Sequence, residues 1–249
     1  MNDNKIVITS AKRTAIGSLG KSLKNTKSTE LGSEVIKASI KSSKLKSNEI
    51  DEIIIGQVLT GGLGQNPARQ AAINSGIPKE KPAYIVNQVC GSGIRSVASG
   101  FQSIKSSDSN IIIAGGQESM SLAPHAIHLR DGKKLGDTEL TDTMIKDGLW
   151  DAFHGYHMGV TAENVAEKFQ ITRQEQDKFA LKSQDKALKA LKNKRFKEEI
   201  IDFKIKSKKS EIIFNQDEHP REGINLDALS RLKPVFKKDG TVTAGNASG

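Results

Sequence analysis

Three short apolar runs constrain this chain more than anything else in it: Ile53-Ile54-Ile55, Tyr84-Ile85-Val86 and Ile111-Ile112-Ile113-Ala114. None alternates apolar with polar residues, so each reads as a strand buried on both faces, as in a parallel sheet. Parallel neighbours need long crossovers, and segments of helical character stand where crossovers are required. One helix is expected to be capped by Thr29 and to carry Leu31, Val35, Ile36 and Ile40. A second follows the loop Gly61-Gly62-Leu63-Gly64-Gln65-Asn66-Pro67 and runs through Arg69 to Ile73, and a third runs from just after Cys90 to about Ile104. The β-branched residues 5–10 read as one more strand. Strand–helix alternation of this kind predicts an α/β fold, with helices on both faces of a parallel sheet.

The pattern changes after Gly115-Gly116-Gln117-Glu118-Ser119-Met120. Residues 123–159 show no clean period and read as a long functional loop. A helix is expected near Thr161, and another at Thr172, where Thr172-Arg173-Gln174-Glu175 matches a capping box. Phe179, Ala180, Ser183, Ala187 and Leu191 recur at helical spacing on the second and read as its core-facing stripe. Ile201-Asp202-Phe203-Lys204-Ile205-Lys206 and Glu211-Ile212-Ile213-Phe214 flank a turn-like Ser207-Lys208-Lys209-Ser210, which predicts a hairpin. These changes suggest two domains, residues 1–119 and an α+β domain of residues 120–249. The closing Thr241-Val242-Thr243-Ala244-Gly245-Asn246-Ala247-Ser248-Gly249 reads as a strand entering a glycine turn, with Ser248 suited to cap a helix. A domain that stops at a helix entry suggests truncation.

Cys90 is the only cysteine in 249 residues, at the junction where the strand ending in Val86 gives way to a helix. A helix N-terminus has unpaired N–H groups and a partial positive charge, which favour thiolate over thiol. A thiolate attacks carbonyl and thioester carbon, and helix-start N–H groups can stabilise the oxyanion that results. The competing role is a buried structural cysteine, the commoner fate of a free Cys.

Bulk properties remove some classes. One cysteine rules out an intramolecular disulfide and fits a reducing compartment. No apolar run approaches membrane-spanning length, and the first residues carry no secretory or organellar signal, so the cytoplasm is expected. The net charge of +9 comes mostly from lysines interleaved with acids, as in Lys192-Asn193-Lys194-Arg195-Phe196-Lys197-Glu198-Glu199. That scatter reads as solvated helix faces, and no nucleic-acid partner is expected. His125/His128 and His154/His157 share a three-residue spacing but lack further ligands, so no metal is expected.

Six in-order motifs carry a resemblance to a known family. They are Ala11-Lys12-Arg13-Thr14-Ala15-Ile16-Gly17, Gly64-Gln65-Asn66-Pro67-Ala68-Arg69-Gln70-Ala71-Ala72, Asn87-Gln88-Val89-Cys90-Gly91-Ser92-Gly93, Gly115-Gly116-Gln117-Glu118-Ser119-Met120, Gly155-Tyr156-His157-Met158-Gly159-Val160-Thr161-Ala162-Glu163-Asn164 and residues 240–249. In this order they resemble the thiolases of the short-chain, biosynthetic type. The resemblance implies a thiolase N-terminal half-domain, a mainly parallel sheet between helices, with an inserted α+β loop domain that contacts CoA. It implies that Cys90 takes an acetyl group from acetyl-CoA as a thioester, and that a second acetyl-CoA attacks it to give acetoacetyl-CoA and CoA, reversibly by thiolysis. Leu149, His157 and Met158 would line the acyl pocket. Arg221 would meet the CoA nucleotide, and Ala244, Gly245 and Ser248 the pantetheine arm. CoA thioesters are substrates, no further cofactor is implied, and the complete form is expected to be a homo-oligomer, dimer or tetramer.

The same resemblance marks departures. The family completes its site with an Asn-Glu-Ala-Phe segment, a His in Gly-His-Pro and a second cysteine in Cys-x-Gly, and these 249 residues contain none of them. The C-terminal half-domain is therefore expected to be missing. Three functions are compared on this basis: a thiolase represented by its N-terminal portion, a CoA-thioester-binding remnant that cannot condense, and a basic nucleic-acid-binding protein.

Overall fold

The computed structural model describes residues 5–206 and 211–248. Its contacts divide the chain into two compact units, one within residues 1–148 and 199–216, the other within residues 149–198 and 217–249. This is not the division at residue 120 that composition suggests. Residues just beyond 117 are tied back into the first unit: Val58 N–H donates to Glu118 (2.9 Å), Ser119 Oγ to the Thr26 carbonyl (3.0 Å), and Gly20 N–H to Ser121 Oγ (3.0 Å). Arg13 reaches residue 199 by a backbone N–H bond to the Glu199 carbonyl (2.9 Å) and an ion pair with its side chain (2.7 Å).

The first unit is built on the three apolar runs. Strands β1 (Glu52–Gly56), β2 (Ala83–Val86) and β3 (Ile112–Gly116) form a parallel sheet in the order β2-β1-β3. Helices α1 (Ser28–Ser42) and α2 (Pro67–Asn74) cover the face carrying Ile53, Ile55, Ile85 and Ile113, where Ile36, Ala68, Ala71 and Ala72 complete the core. Helix α3 (Ser92–Lys105) covers the other face. Gly56 makes that approach possible, since a Cβ there would strike the Ser92 backbone. Burying these aliphatic side chains is worth about 1.5–3 kcal/mol each and supplies most of the drive for this unit.

Two local expectations change. Helix α1 starts one residue before Thr29, and the position before it, Lys27, makes no side-chain cap; Thr29 is buried within the first turn. Residues 5–10 belong to no strand, and Val7 and Ile8 stand 69% and 78% exposed. β-Branched composition supplies propensity, but a strand needs a partner ladder. Residues 123–159 also hold more structure than a loop: β4 (His125–Ala126) pairs antiparallel with β5 (Thr141–Asp142), and α4 (Thr143–Gly148) follows. The expected hairpin forms from β6 (Phe203–Lys206) and β7 (Glu211–Phe214), with buried Phe203 and Phe214 paired; its turn, residues 207–210, lies outside the described residues.

The second unit is helical, with α5 (Met158–Lys168), α6 (Arg173–Lys192) and the short α7 (Leu226–Ser230). The Thr172 capping box forms as its sequence requires, the Thr172 side chain taking the Glu175 N–H and Glu175 taking the Thr172 N–H (2.8 Å). Phe179 does not face the core; it is 77% exposed. The buried line of α6 runs instead through Asp177, whose polar partners lie inside the unit.

Candidate active site

Cys90 sits between β2 and α3, as the sequence requires, and it is exposed rather than a buried structural thiol. The turn that carries it is closed on both sides. Gly91 N–H donates to the Gln88 carbonyl and Ser92 N–H to the Val89 carbonyl, both at 3.0 Å. The Ser92 hydroxyl accepts from Gln88 N–H (2.9 Å) and donates to the Val89 carbonyl (2.6 Å). Asn87 Oδ1 takes the Val89 N–H (2.9 Å). Within this frame Val89 adopts φ 49°, a left-handed conformation that costs a β-branched residue of order 1–3 kcal/mol. Two of the helix-start amides expected to serve an oxyanion, those of Gly91 and Ser92, are thus engaged in closing the turn.

In the same unit, Gln117 Nε2 donates to Gln57 Oε1 (2.8 Å), and Gln57 Nε2 to Ser28 Oγ (3.0 Å). Glu118 lies beside this chain, with burial raising its carboxyl above the ordinary range against the opposing N–H donors of Val58 and Leu59.

The other sequence-selected residues all belong to the second unit. Leu149, His157 and Met158 come together at the start of α5. Met158 N–H donates to the Leu149 carbonyl (2.8 Å), and Trp150 and His157 form an antiparallel bridge. His157, not a residue near Thr161, is the cap of this helix, its Nδ1 accepting from Gly159 N–H at 3.0 Å. The helix therefore begins three residues earlier than expected. Phe236 stacks on the His157 ring with centroids 4.9 Å apart and planes 16° from parallel. It packs over Gly159, where any Cβ would collide with the ring. Sequence reasoning missed Phe236; 79 positions separate it from His157, and no local period links them.

Phe236 leads into the return segment. Val235 N–H donates to the Val242 carbonyl (3.0 Å), and Pro234 pairs antiparallel with Thr243. Ala244 and Ser248 then emerge exposed, with Gly245 half-buried between them, in a turn closed by Asn246 Oδ1 on Thr243 N–H (2.7 Å). No strand or helix forms over residues 241–248. Arg221 is exposed on the loop between β7 and α7, its backbone N–H held by Gln184 Oε1 (3.0 Å). Among the described residues no three His, Cys, Asp or Glu side chains converge as metal ligands would, and no helix is long and apolar enough to cross a membrane.

The parallel α/β unit presents an exposed cysteine at a strained strand-to-helix turn, where its thiol is accessible as a nucleophile. The chain belongs to the thiolase family: the model of the thiolase N-terminal domain matches residues 6–249. Two curated relatives are acetyl-CoA acetyltransferases, from Rhizobium meliloti (strain 1021), 56% identical, and from Shinella zoogloeoides, 54% identical. Each alignment takes in 100% of this chain and 63% of the relative, so the chain spans less than two thirds of their length. Among solved structures, the Bacillus anthracis acetyl-CoA acetyltransferase superposes with a TM-score of 0.95 at 40% identity, over 98% of this chain and 62% of that one.

Proposed function

We propose that this chain carries the acyl-accepting half of an acetyl-CoA acetyltransferase, acting on CoA thioesters in the cytoplasm. Cys90 Sγ attacks the thioester carbon of acetyl-CoA, the tetrahedral oxyanion collapses, and the CoA thiolate leaves, so that one thioester is exchanged for another. The observation that carries this reading is the exposed cysteine held in a fixed strand-to-helix turn, in a chain more than half identical to named acetyl-CoA acetyltransferases. Leu149, His157 and Met158 form the acyl pocket in this reading, residues 244–248 hold the pantetheine arm, and Arg221 meets the nucleotide phosphates as a fixed cation.

Carbon–carbon bond formation needs a base for the α-proton of a second acetyl-CoA. By resemblance that role falls to the Cys-x-Gly cysteine, with the Gly-His-Pro histidine as the activating residue, and these 249 residues lack both. Condensation is therefore assigned to a longer chain or to a companion polypeptide that supplies them, in a dimer or tetramer.

Intact-mass measurement after incubation with acetyl-CoA tests the first half-reaction. The chain is expected to gain one acetyl group, and Cys90→Ala none. An unmodified wild-type chain, or equal acetylation of Cys90→Ala, would overturn the assignment.

A further inference from the structure

Residues 241–246 are held by two buried carboxylates that the reaction itself does not use. Glu163, on the inward face of α5 with Gly159 and Ala166, is 4% exposed. Its Oε1 accepts from Val242 N–H (2.8 Å) and Thr241 N–H (2.9 Å), and its Oε2 from the Thr241 hydroxyl (2.9 Å). Asp177, on α6, is also 4% exposed. Its Oδ1 accepts from Asn246 Nδ2 (2.9 Å), and its Oδ2 from Arg173 Nε (2.9 Å). Arg173 extends the chain to the Leu229 and Leu232 carbonyls (2.6 and 3.0 Å). Asn246 is the hub, since it also donates to the Thr241 carbonyl (3.0 Å) and accepts from Thr243 N–H.

A loop whose N–H groups are tied to carboxylates on two different helices has little freedom to swing, because charge-assisted bonds are the strong ones. Both carboxylates are too buried to meet a ligand. We propose that Glu163 and Asp177 are positioning residues for CoA: they fix residues 241–246, and through them the exposed Ala244 and Ser248, in the conformation that receives the pantetheine arm. This rests on the reading of residues 244–248 as the pantetheine segment. Helix α5 then serves two ends of one ligand, with His157 and Met158 at its start and Glu163 further along.

The test is calorimetric titration of CoA into the full 249-residue chain and its variants Glu163→Gln and Asp177→Asn, together with amide hydrogen exchange over residues 241–248. Each variant is expected to weaken CoA by about tenfold, the equivalent of one charge-assisted hydrogen bond, and to speed exchange across the loop. The rate at which iodoacetamide alkylates Cys90 should stay unchanged, since that residue belongs to the other unit. Lys189→Gly, an exposed helix-breaking change near the far end of α6, is the control for general loosening and should leave CoA affinity intact. CoA binding within about twofold of wild type in both carboxylate variants would overturn the proposal. So would an equal loss in Lys189→Gly. A wild-type chain that does not bind CoA would overturn both the proposal and the reading beneath it. A chain that binds CoA without becoming acetylated would overturn the assigned chemistry alone, and the affinity comparison would still decide the positioning.

Discussion

Ser92 is where sequence, strain and chemistry meet most closely. Its hydroxyl closes the Cys90 turn from both directions and helps hold Val89 at positive φ. Ser92→Ala is expected to cost about 1–2 kcal/mol and to alter the rate of Cys90 alkylation, both measurable on the free chain. Gly159 has the matching role in the second unit. Gly159→Ala would push the Phe236 ring off His157, costing about 1–3 kcal/mol, and Phe236 aromatic signals would shift by NMR. Glu163 adds a pH dependence. Burial alone would raise its carboxyl, but the N–H groups of Val242 and Thr241, the Thr241 hydroxyl and Lys237 together hold it below its ordinary 4.5. The folded unit therefore binds this proton less readily than the unfolded chain. The stability it contributes is present above 4.5 and is lost as pH falls through the lower folded value. Glu163→Gln should flatten acid unfolding of the second unit in that window; an unchanged acid limb would contradict the assignment.

Elements were legible in the sequence where the signal was local. The apolar runs gave β1, β2 and β3 because burial on both faces leaves a run with no polar interruption, and the Thr172 box gave the start of α6 because its partners lie three residues apart. Thr172→Ala is expected to cost about 1 kcal/mol, read as a lower melting temperature. Phase was not legible. The spacing of Phe179, Ala180, Ser183, Ala187 and Leu191 is helical, yet the inward line passes through Asp177, because an ion pair with Arg173 makes a charged residue acceptable inside. Glu163 is also buried, sharing its face with Gly159 and Ala166, and there the Thr241 and Val242 donors take the place of an ion pair. A carboxylate at an inward helical position is the trace such a network leaves in sequence, but its partners near residue 241 lie far along the chain. Of the site, Cys90 was legible from its strand–helix junction, whereas the contact of His157 with Phe236 exists only in the fold.

At the scale of the whole chain, apolar surface is left open on the first unit. Val7, Ile8 and Phe101 are more than half exposed, and all three line a groove of about 310 Å³ between residues 6–10, α1 and α3. Exposed patches of this kind drive association. The 27.0 kDa chain on its own is expected to elute as larger species on gel filtration, and a monomer with a sharp cooperative melt would contradict this. The central proposal, that Cys90 takes the acetyl group from acetyl-CoA, is tested most directly by following CoA release with the purified chain. The account predicts a burst of one CoA per chain, with the acetyl group on Cys90 and no acetoacetyl-CoA. Continued turnover to acetoacetyl-CoA, or no release at all, would contradict it.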